Sequence, residues 1–126
     1  MKLSNLLIFN TIVALPFGLG FLLAPGAMAN LYDVSTDPAA NLIAQFFGVS
    51  LIAIGLLTWF ARNVADSKAQ KAIIQALLIA DVLGLIVAVM GMVSGVLNTL
   101  GWLTVVLYLL LVLGYGYFLF MKPGKS

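Results

Sequence analysis

The sequence predicts an all-α fold: an antiparallel bundle of four transmembrane helices with both termini on the cytoplasmic side. Three observations carry this reading. Of 126 residues, 63% are hydrophobic and 8% charged, with a mean hydropathy of +1.18. That is too little polar surface to cover a water-soluble globule, so the chain needs lipid as its solvent. The apolar residues fall into four stretches, each near the ~20 residues that cross ~30 Å of hydrocarbon at 1.5 Å per residue. Finally, all Lys and Arg lie at the start (Lys2), in the second connection (Arg62, Lys68, Lys71) or at the end (Lys122, Lys125). Short loops carrying such residues stay on the cytoplasmic side, which gives four crossings with both termini inside. The other two connections have no Lys or Arg, and the first carries Asp33 and Asp37.

The first span covers residues 3–24, ended by Pro25 and Gly26. Pro16 lies inside it and forfeits the hydrogen bond to the carbonyl four residues back. With Gly18 and Gly20 following, a kink or a locally widened turn is expected. Lys2, the apolar stretch and Ala27-Met28-Ala29 also resemble a secretory signal. The run is long for such a signal's apolar region and long enough to span, so it is read as a helix. Residues 26–37 are read as an outer connection carrying the acidic cluster and Tyr32.

Helix two covers residues 38–62, with Asp37 as N-cap and Pro38 at the first helical position, where its missing N–H costs nothing. Asn41 and Gln45 lie in its first two turns, close to the outer interface, and Trp59 lies near the inner headgroups. The turn at 62–68 is short and polar, so helices two and three are expected to be antiparallel neighbours. Ser67 and Gln70 have capping-box spacing at the start of helix three, which runs over residues 67–92. Residues 94–98 form an uncharged turn. Helix four covers residues 99–121 and is stopped by Lys122-Pro123-Gly124. Trp102 at its outer end and Tyr115 and Tyr117 at its inner end fit an aromatic belt. No internal repeat, linker or extramembrane domain interrupts residues 1–126, which form one membrane domain.

Composition also excludes functions. A net charge of +2 and a pI near 9.1 come without a basic run or RNA-binding signature, so the cations are a topological signal and no nucleic-acid partner is expected. Cys and His are absent. That removes disulfides, thiol redox chemistry, thiolate or imidazole metal sites and any triad or axial haem ligand needing these residues, so no metal or cofactor is expected. The five Met residues, including Met90 and Met92, are adaptable packing.

Helix three carries Ala72, Ala76, Ala80, Gly84 and Ala88, one small residue at every fourth position. Small residues let helix backbones approach, so dispersion and weak Cα hydrogen bonds drive association where the hydrophobic effect cannot. Helix two offers Ala40, Ala44 and Gly48, with Gly55 two turns on, and Gly91 and Gly95 form a GxxxG pair at the end of helix three. The stripe leaves open whether its partner is in the same chain.

Asp81 is the residue hardest to explain by folding alone. It lies ten residues beyond Lys71, about 15 Å into the span. A carboxylate there costs roughly 2.5 to 3.5 kcal/mol on insertion scales, so it should face the bundle or a wet cavity. No cation shares its layer. Counting depth along the helices places Ser50 at about 18 Å, Tyr108 at about 20 Å, and Asn10 and Thr11 at about 10 Å from the same side, which makes them its candidate partners. Gln75 and Asn10, nearer the inner interface, are also read as interhelical hydrogen-bonding residues.

The segment Ala14-Leu15-Pro16-Phe17-Gly18-Leu19-Gly20-Phe21-Leu22-Leu23-Ala24-Pro25, followed by Phe47-Gly48 and the stretch from Gly55 to Trp59, resembles small bacterial four-span membrane proteins of the DoxX-like kind. The likeness covers about the first half of the chain. It implies a four-helix fold and no settled activity, and the expected location is a bacterial inner (plasma) membrane. Small multidrug transporters and rotor-ring proteolipids also pair short helices with a buried acid. In those families the acid lies in the first or the final helix, whereas here it lies in the third, so neither mechanism transfers.

Three functions follow as expectations. The first is a non-catalytic accessory or assembly subunit, contacting lipids and attaching to other membrane chains or to its own copies through the small-residue stripe. An oligomeric proton-linked carrier using Asp81 is the second, and a bundle holding a lipid, quinone or other hydrophobic small molecule is the third. An enzyme is not expected, because acid-base work normally needs a second positioned titratable group and depth counting places none in the layer of Asp81.

Overall fold

A computed structural model of the protein describes residues 2–121. The elements in order are α1 (Leu3–Leu23), α2 (Pro25–Leu31), α3 (Pro38–Ala61), α4 (Ser67–Val93) and α5 (Gly101–Gly116), the last continuing as a π-helical segment, Tyr117–Met121. No strand occurs among the described residues. Four helices are long and apolar enough to cross a membrane: α1, α3, α4, and α5 together with its extension. Their outward side chains include Leu23, Phe60, Val93 and Phe120, all largely exposed. Such a surface matches hydrocarbon, and the four helices fit a multi-pass membrane protein.

Local chemistry sets the boundaries. Pro25 ends α1 but also opens α2, a seven-residue helix in the stretch read from sequence as the outer connection. A proline suits the first helical position as well as it suits a stop. α2 and α4 both end in a Schellman motif. At α2, Asp33 takes φ 60°, its N–H donates to Asn30 O (2.9 Å), and the Val34 N–H donates to Ala29 O (3.0 Å). At α4, Gly95 takes φ 78°, its N–H donates to Met92 O (3.2 Å), and the Val96 N–H donates to Gly91 O (3.1 Å). Gly91 and Gly95 therefore serve a helix stop rather than the expected interhelical pair: a Cβ on Gly95 would meet nothing within 4 Å, and one on Gly91 would meet Leu97 of the same turn.

Asp37 caps α3, its Oδ1 accepting from the Ala40 N–H at 2.7 Å. At α4 the cap is Asp66, and Ser67 is the first helical residue, one position from the expected role. α5 begins later than residue 99, because the chain enters through three successive i→i+3 bonds, from Gly101, Trp102 and Leu103 to Asn98, Thr99 and Leu100. No widened turn accompanies Pro16, and α1 is α-helical through it. The wide turn lies instead at Tyr117–Met121. Lys122 and Lys125, and the helix stop expected at Lys122-Pro123-Gly124, lie outside the described residues.

The helices approach closely as α3–α1 and α4–α5, with α1 also touching α5. At the first crossing a Cβ on Gly48 would lie 2.7 Å from both Gly18 O and Leu22 N, so these backbones meet with no room for a side chain. Gly55 faces Leu15 of α1, Gly114 faces Leu6 of α1, and Gly84 lies beneath the Tyr108 ring of α5. The expected neighbour relation of helices two and three is therefore corrected. Although a short turn joins α3 to α4, their glycines face α1 and α5 instead. Of the small-residue positions, Ala88 is buried and Ala44 half-buried, while Ala72, Ala76 and Ala80 are exposed.

One end of the bundle is closed by a core of Leu3, Leu6, Leu7, Ala61, Ile74, Leu77, Leu111, Tyr115 and Phe118. This core joins the start of α1, the end of α3, the start of α4 and the end of α5. Lys2, Arg62 and Lys68 consequently share that end, called the basic end below.

Candidate functional site

Polar side chains just above the basic-end core are paired with one another. Thr11 Oγ1 lies 2.7 Å from Thr58 Oγ1, 3.0 Å from Leu7 O and 3.2 Å from Gly55 O, and Thr58 Oγ1 lies 3.0 Å from Ile54 O and from Gly55 O. With one proton each, the pair is satisfied when one hydroxyl donates to the other and that one donates to a helix carbonyl. Asn10 Nδ2 donates to Tyr115 Oη at 2.7 Å, tying α1 to α5. Tyr115 is 0% exposed. It belongs to the core, not to the aromatic belt expected from its depth, whereas Tyr117 and Trp102 are exposed.

Beyond this layer the four long helices border a half-open cavity of about 240 Å³. α1 contributes Asn10, Ala14, Phe17 and Phe21, a single face at i, i+4, i+7 and i+11. From α3 come Phe47, Leu51 and Ile54, and from α5 come Thr104, Leu107, Tyr108 and Leu111. Phe21 and Phe47 meet edge to face, with centroids 5.1 Å apart. The far connections add Tyr32 and Leu97 to the lining at the top. Tyr32 Oη lies 3.0 Å from Thr104 Oγ1, the Asn98 N–H donates to Tyr32 O at 3.3 Å, and Asn98 Nδ2 donates to Leu31 O at 3.1 Å. These bonds fasten α2 and its C-terminal turn across the mouth.

Asp81 is the only contribution from α4 to this wall. Its residue exposure is 8%, and Oδ2 is sealed with no hydrogen-bond partner among the described residues. Tyr108 and Tyr115 stand within electrostatic reach of it. Of the partners expected for Asp81, the structure brings Asn10 and Tyr108 to the same cavity, with the Asn10 amide already committed to Tyr115. Ser50 is not among them: it is exposed, on another face of α3, and donates to Phe46 O at 3.1 Å. Thr11 is likewise occupied by Thr58. Depth along a helix had been readable, but the direction in which a side chain points had not.

Tyr32, Thr104 and the aromatic wall were not singled out from the sequence as parts of a site. The signal that would have found the α1 face is the helical spacing of Phe17 and Phe21 above Asn10 and Ala14. Chemically, the arrangement is an apolar, aromatic-walled chamber with one acidic group, hydroxyls at its rim, and no metal-ligand cluster among the described residues. Compared with known protein families, curated proteins and solved structures, the chain matches none, so its fit to a multi-pass membrane protein rests on its own four apolar helices.

Proposed function

We propose that this protein is a non-catalytic membrane protein that holds a small, mostly apolar molecule between its helices, in a bacterial inner membrane with the basic end cytoplasmic. The cavity itself carries the reading: concave and largely apolar, with a few convergent polar groups, it has the make-up of small-molecule sites. The clustering of Lys2, Arg62 and Lys68 at one end supports the orientation.

The test is occupancy of the cavity by an apolar probe. In lipid nanodiscs, pentylbenzene is expected to receive saturation transfer from the rings of Phe17 and Phe21, and Ala14→Phe, which fills the chamber, is expected to abolish it. Equal transfer in both proteins would place the probe in the bilayer alone and reject the reading.

A second reading, an accessory or assembly subunit, is favoured by the exposure of Ala72, Ala76 and Ala80 along one side of α4. Small residues there leave a shallow track on which another helix can lie. Purification in mild detergent tests it: a stoichiometric partner chain lost in Ala76→Phe supports this reading, and a chain that purifies alone in both forms rejects it.

A further inference from the structure

The polar groups around the cavity are not balanced. Asn10 is bonded to Tyr115, Thr11 to Thr58, and Tyr32 to Thr104. Two polar groups remain among the described residues: the Tyr108 hydroxyl on the same lining, and Asp81, a residue more than nine-tenths buried whose Oδ2 lacks any donor. The described cations, Lys2, Arg62, Lys68 and Lys71, lie at or near the basic end, and Asp81 is about 15 Å along α4 beyond the nearest of them in sequence. In a low-dielectric interior an unpaired acid is costly, and a group bringing both positive charge and N–H donors gains most by joining it. An anion would meet like charge, and a hydrocarbon would leave the carboxyl without a donor.

The walls point the same way. Phe17, Phe21, Phe47 and Tyr108 border the chamber with aromatic surface, which attracts a cation through its ring faces and packs an apolar body equally well. A volume of about 240 Å³ exceeds the ~150 Å³ of an apolar cavity that holds benzene, so the chamber suits an organic molecule on the order of ten non-hydrogen atoms.

From this we infer that the cavity is a site for a small amphipathic amine, its ammonium group at the Asp81 carboxyl and its hydrocarbon body along Phe17, Phe21 and Phe47. The inference rests on the reading of the cavity as a ligand site and specifies its chemical class. It assigns Asp81 to recognition and the Tyr32–Thr104 closure to the rim above the bound molecule.

A matched pair of probes tests it: phenylbutylamine and its hydrocarbon isostere pentylbenzene, titrated onto the full chain in nanodiscs of zwitterionic lipid, with lipid uptake measured on empty discs. The wild type is expected to bind the amine at least about tenfold more tightly than the isostere, in line with an ion pair supported by aromatic faces. Asp81→Asn is expected to lose that preference while still binding pentylbenzene. Carbon NMR of aspartate-labelled wild type supplies a readout independent of any variant: one carboxyl resonance should move with the amine and none with the isostere. Equal affinity for the two probes, a preference unchanged in Asp81→Asn, or no carboxyl shift with the amine would overturn the amine assignment and leave the cavity reading standing. Binding of neither probe would overturn both.

Discussion

The two ends of this bundle are built from helices of similar composition and solve opposite problems. At the basic end Tyr115 and Thr58 are 0% exposed, and each buried hydroxyl or amide has a partner: Asn10 with Tyr115, Thr11 with Thr58. Toward the α2 end α1 and α3 still meet at Gly18 and Gly48, but the four helices leave a chamber between them, and the acid bordering it has an oxygen with no donor among the described residues. In hydrocarbon, helix association depends on packing and on satisfied polar groups, because the lipid competes for apolar contact on equal terms. A satisfied end is accordingly a clamp. An end with space and an unsatisfied acid gives up some stability and keeps room for another molecule.

Substitutions that force two helices apart or strand a buried polar group should have the largest effects. In Gly48→Leu the new side chain would be driven into the Gly18 carbonyl and the Leu22 amide, so α1 and α3 must separate. A loss of about 3 kcal/mol or more is expected, read by denaturant titration in detergent. Tyr115→Phe should come next, because it strands the Asn10 amide, which is 3% exposed, and should cost about 1 to 3 kcal/mol by the same titration.

Changes at the rim of the chamber should be milder. Asp33 holds a left-handed conformation that glycine adopts freely, so Asp33→Gly should stabilise by up to about 1 kcal/mol, visible as a higher thermal midpoint. Thr104→Val removes the bond to Tyr32 and should cost only ~0.6 kcal/mol, with faster hydrogen exchange at Tyr32 and its neighbours as the more sensitive readout. A large loss in Thr104→Val would show that the rim is as much a clamp as the core, and would blur the contrast.

How much of this was readable in the sequence follows from the same physics. The four helices were legible because length, hydropathy and punctuation agree, as at Asp37-Pro38. Their neighbour order was not, because helices that are apolar all round have no polar face to orient them. Small residues therefore pointed in several directions at once: Gly48 toward Gly18, Gly84 toward Tyr108, and Ala72, Ala76 and Ala80 outward. Tyr115 and Tyr117 are two positions apart, about 200° around a helix, and one is fully buried while the other is 42% exposed. Asp81 stood out because an acid inside a span is expensive wherever it points. Ser50, a cheap hydroxyl that can bond its own helix, carried no such signal.

The contrast between the ends is tested most directly by the unfolding free energy of Asp81→Leu in detergent without added ligand. The chamber has room for the larger side chain and the substitution removes an acid whose Oδ2 lacks a donor among the described residues, so stability should rise by about 1 to 3 kcal/mol. A fall in stability would mean that Asp81 is a satisfied part of the packing, and the division into a clamped end and a receptive one would be wrong.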